Sequence, residues 1–225
     1  MANKIAYLDY LESYLTEHRK ELFDRVIANR TKHFTIVAED TYQDHNASAL
    51  IRTCDCFGIQ DLHIIEEENK YRLAKGMTQG SDKWVDLHYY SEYEDNIQTC
   101  IDHLRAKEYQ IIATTPHRND CMVAEYDISI RSAFFFGKES TGLSQQIIDQ
   151  ADAFVKLPMY GFSESFNISV SAALLLQELT SKLRSSEDLH WQLTEEEIVD
   201  LKIEWCIKTI QNGDRIAAKY LEEHT

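Results

Sequence analysis

Short apolar runs alternating with amphipathic stretches most constrain what this chain can fold into. From Thr35 onward, TIVAED (35–40), LHIIE (62–66), WVDLHYY (84–90), QIIATT (110–115), AFFFG (133–137) and AFVKLPM (153–159) read as strands. Stretches with helical spacing lie between several of them, at 46–57, 92–107 and about 143–150. Strand alternating with helix predicts an α/β fold, a mostly parallel sheet with helices on both faces. Pattern alone leads to a plain doubly wound sheet without a knot. The longest apolar helix is expected late, in NISVSAALLLQELTSKL (167–183). Ile168, Ala172, Leu175, Leu176, Leu179 and Leu183 form its stripe, and Val170 and Leu174 widen it. A stripe that wide is either deeply buried or packs on two partners, one of which could be a second subunit.

The flanks differ in texture. Residues 5–29 place Ile5, Leu8, Leu11, Leu15, Leu22, Val26 and Ile27 at mostly helical spacing, and a helical segment is expected from about Glu195 after the polar break SSEDLHW. These changes predict a helical N-terminal extension (1–33), a central domain (34–184) and an acidic helical C-terminal extension (185–225). The 225 residues carry 23 Lys and Arg against 38 Asp and Glu, a net charge of −15. Such a balance repels nucleic acid on average, so an RNA partner would need a locally basic face. Arg19, Lys20, Arg25, Arg30, Lys32 and His33 make one such run, which reads equally as a solvated helix face. Arg118, Lys70, Arg72, Lys75 and Lys83 could extend it. Five cysteines without CxxC spacing fit a reduced, cytoplasmic protein. No apolar run reaches membrane-spanning length, and the histidines lack HxH or HExxH spacing, so neither membrane nor metal is expected.

Small and polar residues gather at three places, where a parallel sheet would collect ligands beyond its strand ends. The first is Asp44-His45-Asn46 before ASALIRTCDCFG, with Asn46 as a plausible N-cap. On spacing alone, Arg52 there reads first as a surface arginine paired with Asp55. The second is FFFGKESTGLS, where Gly137 ends a buried strand and Glu139 follows; by itself it is an ordinary tight turn. The third is LPMYGFSESFNISVSAALLLQE, in which Ser165 or Asn167 could cap the long helix and its N-terminal N–H groups could meet an anion. No Gly-x-Ser-x-Gly elbow is present, which leaves an α/β-hydrolase nucleophile unsupported.

In this order and spacing the three clusters resemble motifs 1, 2 and 3 of the SpoU branch of the SPOUT RNA methyltransferases, over about Thr35 to Leu183. GSDKW (80–84) and IIATT (111–115) are similar to segments of the subgroup that 2′-O-methylates guanosine 18 of tRNA. The resemblance implies a deep trefoil-knotted SPOUT fold, an S-adenosylmethionine pocket within the knot, and a homodimer. It implies cofactor contacts around Thr114, Gly137, Leu157, Met159, Ser165, Phe166 and Asn167. It puts the family arginine on Arg52, the motif 1 asparagine on Asn46 and the motif 2 glutamate on Glu139. Gln43-Asp44 replaces the frequent Lys-Pro of motif 1, and Phe166 stands where a leucine is usual in motif 3.

The implied reaction lines a ribose 2′-hydroxyl up behind an activated methyl, so positioning can supply much of the rate. Guanidinium stays protonated in proteins. Arg52 is therefore expected to bind an RNA phosphate and steady alkoxide charge, with Asn46 and Glu139 orienting. The alternatives are the same chemistry on another tRNA position or on rRNA, a knotted S-adenosylmethionine or RNA binder without turnover, and a flavodoxin-like nucleotide binder.

Overall fold

The computed structural model describes residues 2–41, 44–68, 78, 80–116, 121–138 and 140–224. Its central strands send alternate residues into two different cores. In β1 (Phe34–Glu39), Phe34, Ile36 and Ala38 enter one cluster and Val37 the other. In β6 (Ser132–Phe136), Phe134 and Phe136 go one way, Ala133 and Phe135 the opposite way. A pleated strand imposes that period of two, and cover on both faces explains why the runs contain so little polar alternation.

With β2 (Asp61–Ile65), β3 (Asp86–Tyr90), β4 (Gln110–Thr114), β5 (Cys121–Met122) and β7 (Ala153–Lys156) they form a seven-stranded sheet in the order β3-β2-β1-β6-β4-β7-β5. Every described pairing is parallel. Only β5 has no counterpart among the apolar runs, because its two residues are too short to register as a pattern.

Helices α3 (Asp44–Phe57) and α6 (Ile168–Ser185) cover one face, bringing Leu50, Ile51 and Cys54 into one cluster with Leu175, Leu176 and Leu179. Helices α4 (Asn96–Ala106) and α5 (Gln145–Gln150) cover the other, through Ile97, Cys100, Ile101, Leu104 and Ile147. From β1 the chain steps outward through β2 to β3, then returns to β4 on the far side of β6. That reversal opens a crevice at the carboxyl ends of the central strands, the usual ligand position in such sheets.

This α/β unit spans Lys32–Trp191; Met1–Thr31 and Gln192–Thr225 fold together as a second unit. The single helical stretch read at 5–29 is two helices, α1 (Ala2–Glu12) and α2 (Glu17–Ile27). The break comes at Thr16, whose hydroxyl accepts from the Arg19 N–H and caps α2. Helices α7 (Glu195–Thr209) and α8 (Gly213–Glu223) complete the unit, and Trp205 is buried edge-on to Phe23 with ring centroids 5.4 Å apart. Part of the acidic tail is tied down here. Glu196 and Asp200 both pair with Lys4, at 2.9 and 2.8 Å, and Thr194 and Glu197 form a capping box. Among the described residues no helix is long and apolar enough to cross a membrane.

Candidate cofactor and RNA site

A cavity of about 480 Å³ opens at the carboxyl ends of β4, β6 and β7. Three segments contribute to its wall: Thr114 to Pro116 after β4, Gly137, Lys138 and Ser140 to Leu143 after β6, and Leu157, Met159 and Glu164 to Phe166 after β7. Ile168, Ser171 and Leu175 of α6 close it from one side. Thr114, Gly137, Leu157, Met159, Ser165 and Phe166, all predicted from the sequence, lie on the wall. Asn167 does not. It caps α6, its Oδ1 accepting from the Ser169 N–H at 2.9 Å, while its Nδ2 donates to Asn46 Oδ1 at 2.8 Å.

That last bond changes the part read for Asn46. An N-cap stands outside its helix with extended backbone, whereas α3 already begins at Asp44 and Asn46 is buried in its first turn. Asn46 therefore does not cap α3. Its amide joins the start of α3 to the start of α6, so motifs 1 and 3 meet through two side chains. Arg52 lies further along α3, exposed and off the cavity wall. The partner expected for it, Asp55, accepts from the Ser81 hydroxyl at 2.9 Å, which gives GSDKW a structural part: Ser81 ties this segment to α3. Glu139 and Arg118, like Lys70, Arg72 and Lys75, fall outside the described residues.

The basic run divides. Arg25 is exposed, Arg19 and Lys20 are half-buried on α2, and Lys20 pairs with Glu17 at 2.8 Å. Arg30 is only 1% exposed, its guanidinium carbon 5.6 Å from the centroid of the Trp205 ring. A side chain so enclosed cannot grip an RNA backbone, so Arg30 is not the surface contact its place in the basic run predicts. His33 donates its Nε2–H to the Ile128 carbonyl at 2.8 Å, and burial pushes its pKa down, which disfavours the charged form. Lys32 is half-buried in the α/β unit, and Lys83 is exposed in a short turn (Ser81–Lys83).

The cavity suits S-adenosylmethionine on its own terms. Its volume lies within the roughly 300–1,000 Å³ usual for small-molecule sites. Leu143, Leu157, Met159 and Phe166 give it apolar surface for a flat base. Thr115, Ser165 and Ser171 bring hydroxyls, and Glu164 brings an acid suited to a positively charged ligand. Sequence reasoning missed Glu164, although an acid next to Ser165 in the third cluster was the available signal. Gly137 cannot be replaced freely, since a Cβ there would meet the Gly142 carbonyl carbon at 2.2 Å. The turn after β6 is that close.

Comparison with known proteins settles the family. The model of the SpoU rRNA Methylase family matches residues 33–177. This chain belongs to the SpoU family of RNA methyltransferases. It is 37% identical over 202 residues to a tRNA (guanosine(18)-2′-O)-methyltransferase of Borreliella burgdorferi, covering 90% of each chain. A protein of the same name from Aquifex aeolicus is 30% identical over 203 residues, covering 89% of this chain and 94% of the relative. Among solved structures, the A. aeolicus TrmH/SpoU tRNA modifying enzyme superposes with a TM-score of 0.76 at 28% identity, over 87% of this chain and 98% of that one. The Streptomyces viridochromogenes SpoU methyltransferase AviRb, crystallised with AdoMet, shares the fold at a TM-score of 0.60 and 21% identity.

Proposed function

We propose that this chain methylates the 2′-oxygen of guanosine 18 in tRNA, with S-adenosylmethionine as donor. The observation that carries the reading is the cavity at the ends of β4, β6 and β7, walled by segments of motifs 2 and 3 in a chain of the SpoU family. The relatives named tRNA (guanosine(18)-2′-O)-methyltransferase support the choice of RNA and nucleotide. S-adenosylmethionine would supply an electrophilic methyl on a positively charged sulfur. Thr114, Gly137, Leu157, Met159, Ser165 and Phe166 hold it, and Asn167 braces the wall through Asn46 rather than lining it. Arg52, outside the wall, acts on the RNA: its planar guanidinium binds a phosphate and steadies charge developing on the ribose oxygen. Glu139 orients the reacting groups.

The reading includes the family's trefoil knot around the cavity walls and a homodimer. Tyr160 and Phe162 stand 96% and 108% exposed, and Val170 and Leu174 on α6 are 44% and 43% exposed. Apolar surface of this kind beside a binding site supports a second copy as its cover. Arg19, Lys20, Arg25, Lys32 and Arg118 supply the contacts to tRNA. The work is placed in the cytoplasm, where the free thiols of Cys54, Cys56, Cys100, Cys121 and Cys206 persist.

The test is transfer of labelled methyl from S-adenosylmethionine to unmodified tRNA transcripts at low salt, with the modified nucleoside mapped. Wild type should give 2′-O-methylguanosine at position 18. Arg52→Ala should lose about 10²–10³-fold in rate, and Arg52→Lys should fail to restore it because the planar fork is gone. Methylation at another nucleotide, or of rRNA alone, would overturn the substrate; full activity of Arg52→Lys would overturn the part given to Arg52.

A further inference from the structure

Two adjacent acids at the end of β1 reach opposite ends of the loop that follows β6. Glu39 is 2% exposed, and its Oε2 accepts from the Ser144 N–H at 2.9 Å. Asp40 is 1% exposed, and its Oδ2 lies 2.9 Å from Lys138 Nζ. The loop between these anchors is itself closed, the Lys138 N–H donating to the Gly142 carbonyl and the Gly142 N–H donating back, at 3.1 and 2.9 Å. Asp40 also holds a third segment. Its Oδ1 accepts from the Glu67 and Glu68 N–H groups at 3.3 and 3.0 Å, just past β2, and Glu68 adds its own carboxylate 3.0 Å from Lys138. To do this Asp40 takes a left-handed backbone, φ 52°, a conformation aspartate tolerates better than most residues.

Lys138 is part of the cavity wall. Without the Asp40 and Glu68 carboxylates, the ammonium of this wall residue would repel a positively charged ligand nearby, and solvent would screen only part of that repulsion. Asp40 and Glu68 flank that ammonium, which raises the pKa of Lys138 and keeps the lysine charged and engaged. We infer that Asp40 is a positioning residue of the cofactor site: through its ion pair with Lys138 it fixes the loop after β6 and cancels the cation that this loop brings to the cavity. Glu39 is the second anchor of the same loop. The inference rests on the cavity being the S-adenosylmethionine site. It makes β1, which contributes nothing to the wall, a determinant of what the wall accepts.

The experiment uses the full chain, with S-adenosylmethionine binding measured by calorimetry and steady-state rates with tRNA. The variants are Asp40→Asn, which can still accept from the Glu67 and Glu68 N–H groups, Lys138→Gln, and the two combined. Asp40→Asn should weaken S-adenosylmethionine binding about tenfold and raise its KM, with the KM for tRNA unchanged. Lys138→Gln in the Asp40→Asn background should restore part of that loss, because the uncompensated cation is gone. Because Lys138 is partly exposed, Lys138→Gln keeps the test open should Asp40→Asn fold poorly. Unchanged binding in both single variants, or strictly additive losses, would overturn the inference. Wild type that fails to bind S-adenosylmethionine would overturn the function reading on which this inference rests, whereas wild type that binds it while both single variants bind equally well would overturn the inference alone.

Discussion

The two loops that wall most of the cavity are built on opposite plans. The one after β6, residues 137–144, is closed by its own backbone bonds and anchored at both ends by Glu39 and Asp40. The one after β7, residues 157–167, turns Tyr160 and Phe162 wholly into solvent and is secured at its far end, where Asn167 meets Asn46. Exposed rings gain nothing from burial within this chain, so the second loop's apolar surface is available to something else. The first loop is completed by the chain itself, whereas the second leaves its two rings uncovered by the chain.

Breaking the anchored loop should have the largest effect. Gly137→Val drives a side chain into the Gly142 backbone, which has no flexible atom to move aside. It should cost about 1–3 kcal/mol of stability and abolish S-adenosylmethionine binding, read by thermal melting and calorimetry. Next comes the open loop. Phe162→Asp, combined with Tyr160→Ser, should leave the melting temperature of the monomer nearly unchanged and shift the protein from dimer to monomer in sedimentation, with loss of methyl transfer. Sedimentation unchanged by these substitutions would overturn a second copy as the cover of this loop. A smaller effect is expected from Asn167→Ala, which removes both the cap of α6 and the bond to Asn46, about 1 kcal/mol. Because it frees only one end of the loop, S-adenosylmethionine binding should weaken without vanishing.

The smallest effect on the cofactor site comes from a change away from both loops, which serves as their control. His63 on β2 is buried, its Nδ1 3.0 Å from the Tyr90 hydroxyl and its ring stacked on His88 at 4.6 Å, while His88 Nε2 sits 2.8 Å from Asp61 Oδ1. Burial lowers the His63 pKa to about 3. The unfolded chain therefore binds a proton that the folded chain refuses between about pH 6.5 and 3. Stability supplied by neutral His63 is present above that window and drains away as pH falls through it, by at most about 1.4 kcal/mol per pH unit. His63→Asn should flatten this part of a pH–stability curve and leave S-adenosylmethionine affinity at pH 7 unaltered.

The strands were legible because both of their faces are buried, which writes them as unbroken apolar runs. The long helix α6 was legible because its stripe is wide. The break at Thr16 was hidden, since apolar spacing on either side of a cap stays in register with one continuous helix. At the site, residues whose backbone shapes a wall could be carried over from motif positions, and six of them line the cavity. Side-chain partnerships across the sheet were not legible. Asn46 meets Asn167 across 121 positions, and Glu39 meets Ser144 across 105, separations at which no local pattern signals contact. Arg30 shows the converse: in sequence it belongs to a basic run, but the enclosure that removes it from the surface involves Trp205, far along the chain.

The helical unit has a consequence for the order of events during synthesis. Its first half, α1 and α2, leaves the ribosome long before its second half, α7 and α8, has been translated, and at about 5–20 residues per second the intervening Lys32–Trp191 segment keeps the halves apart for many seconds. Through that interval Phe23 waits for Trp205 with its apolar face uncovered. The nascent N-terminal helices thus spend that interval without the helices they pack against in the finished unit, and a message broken late in its reading frame would release a chain in which Phe23 never meets Trp205.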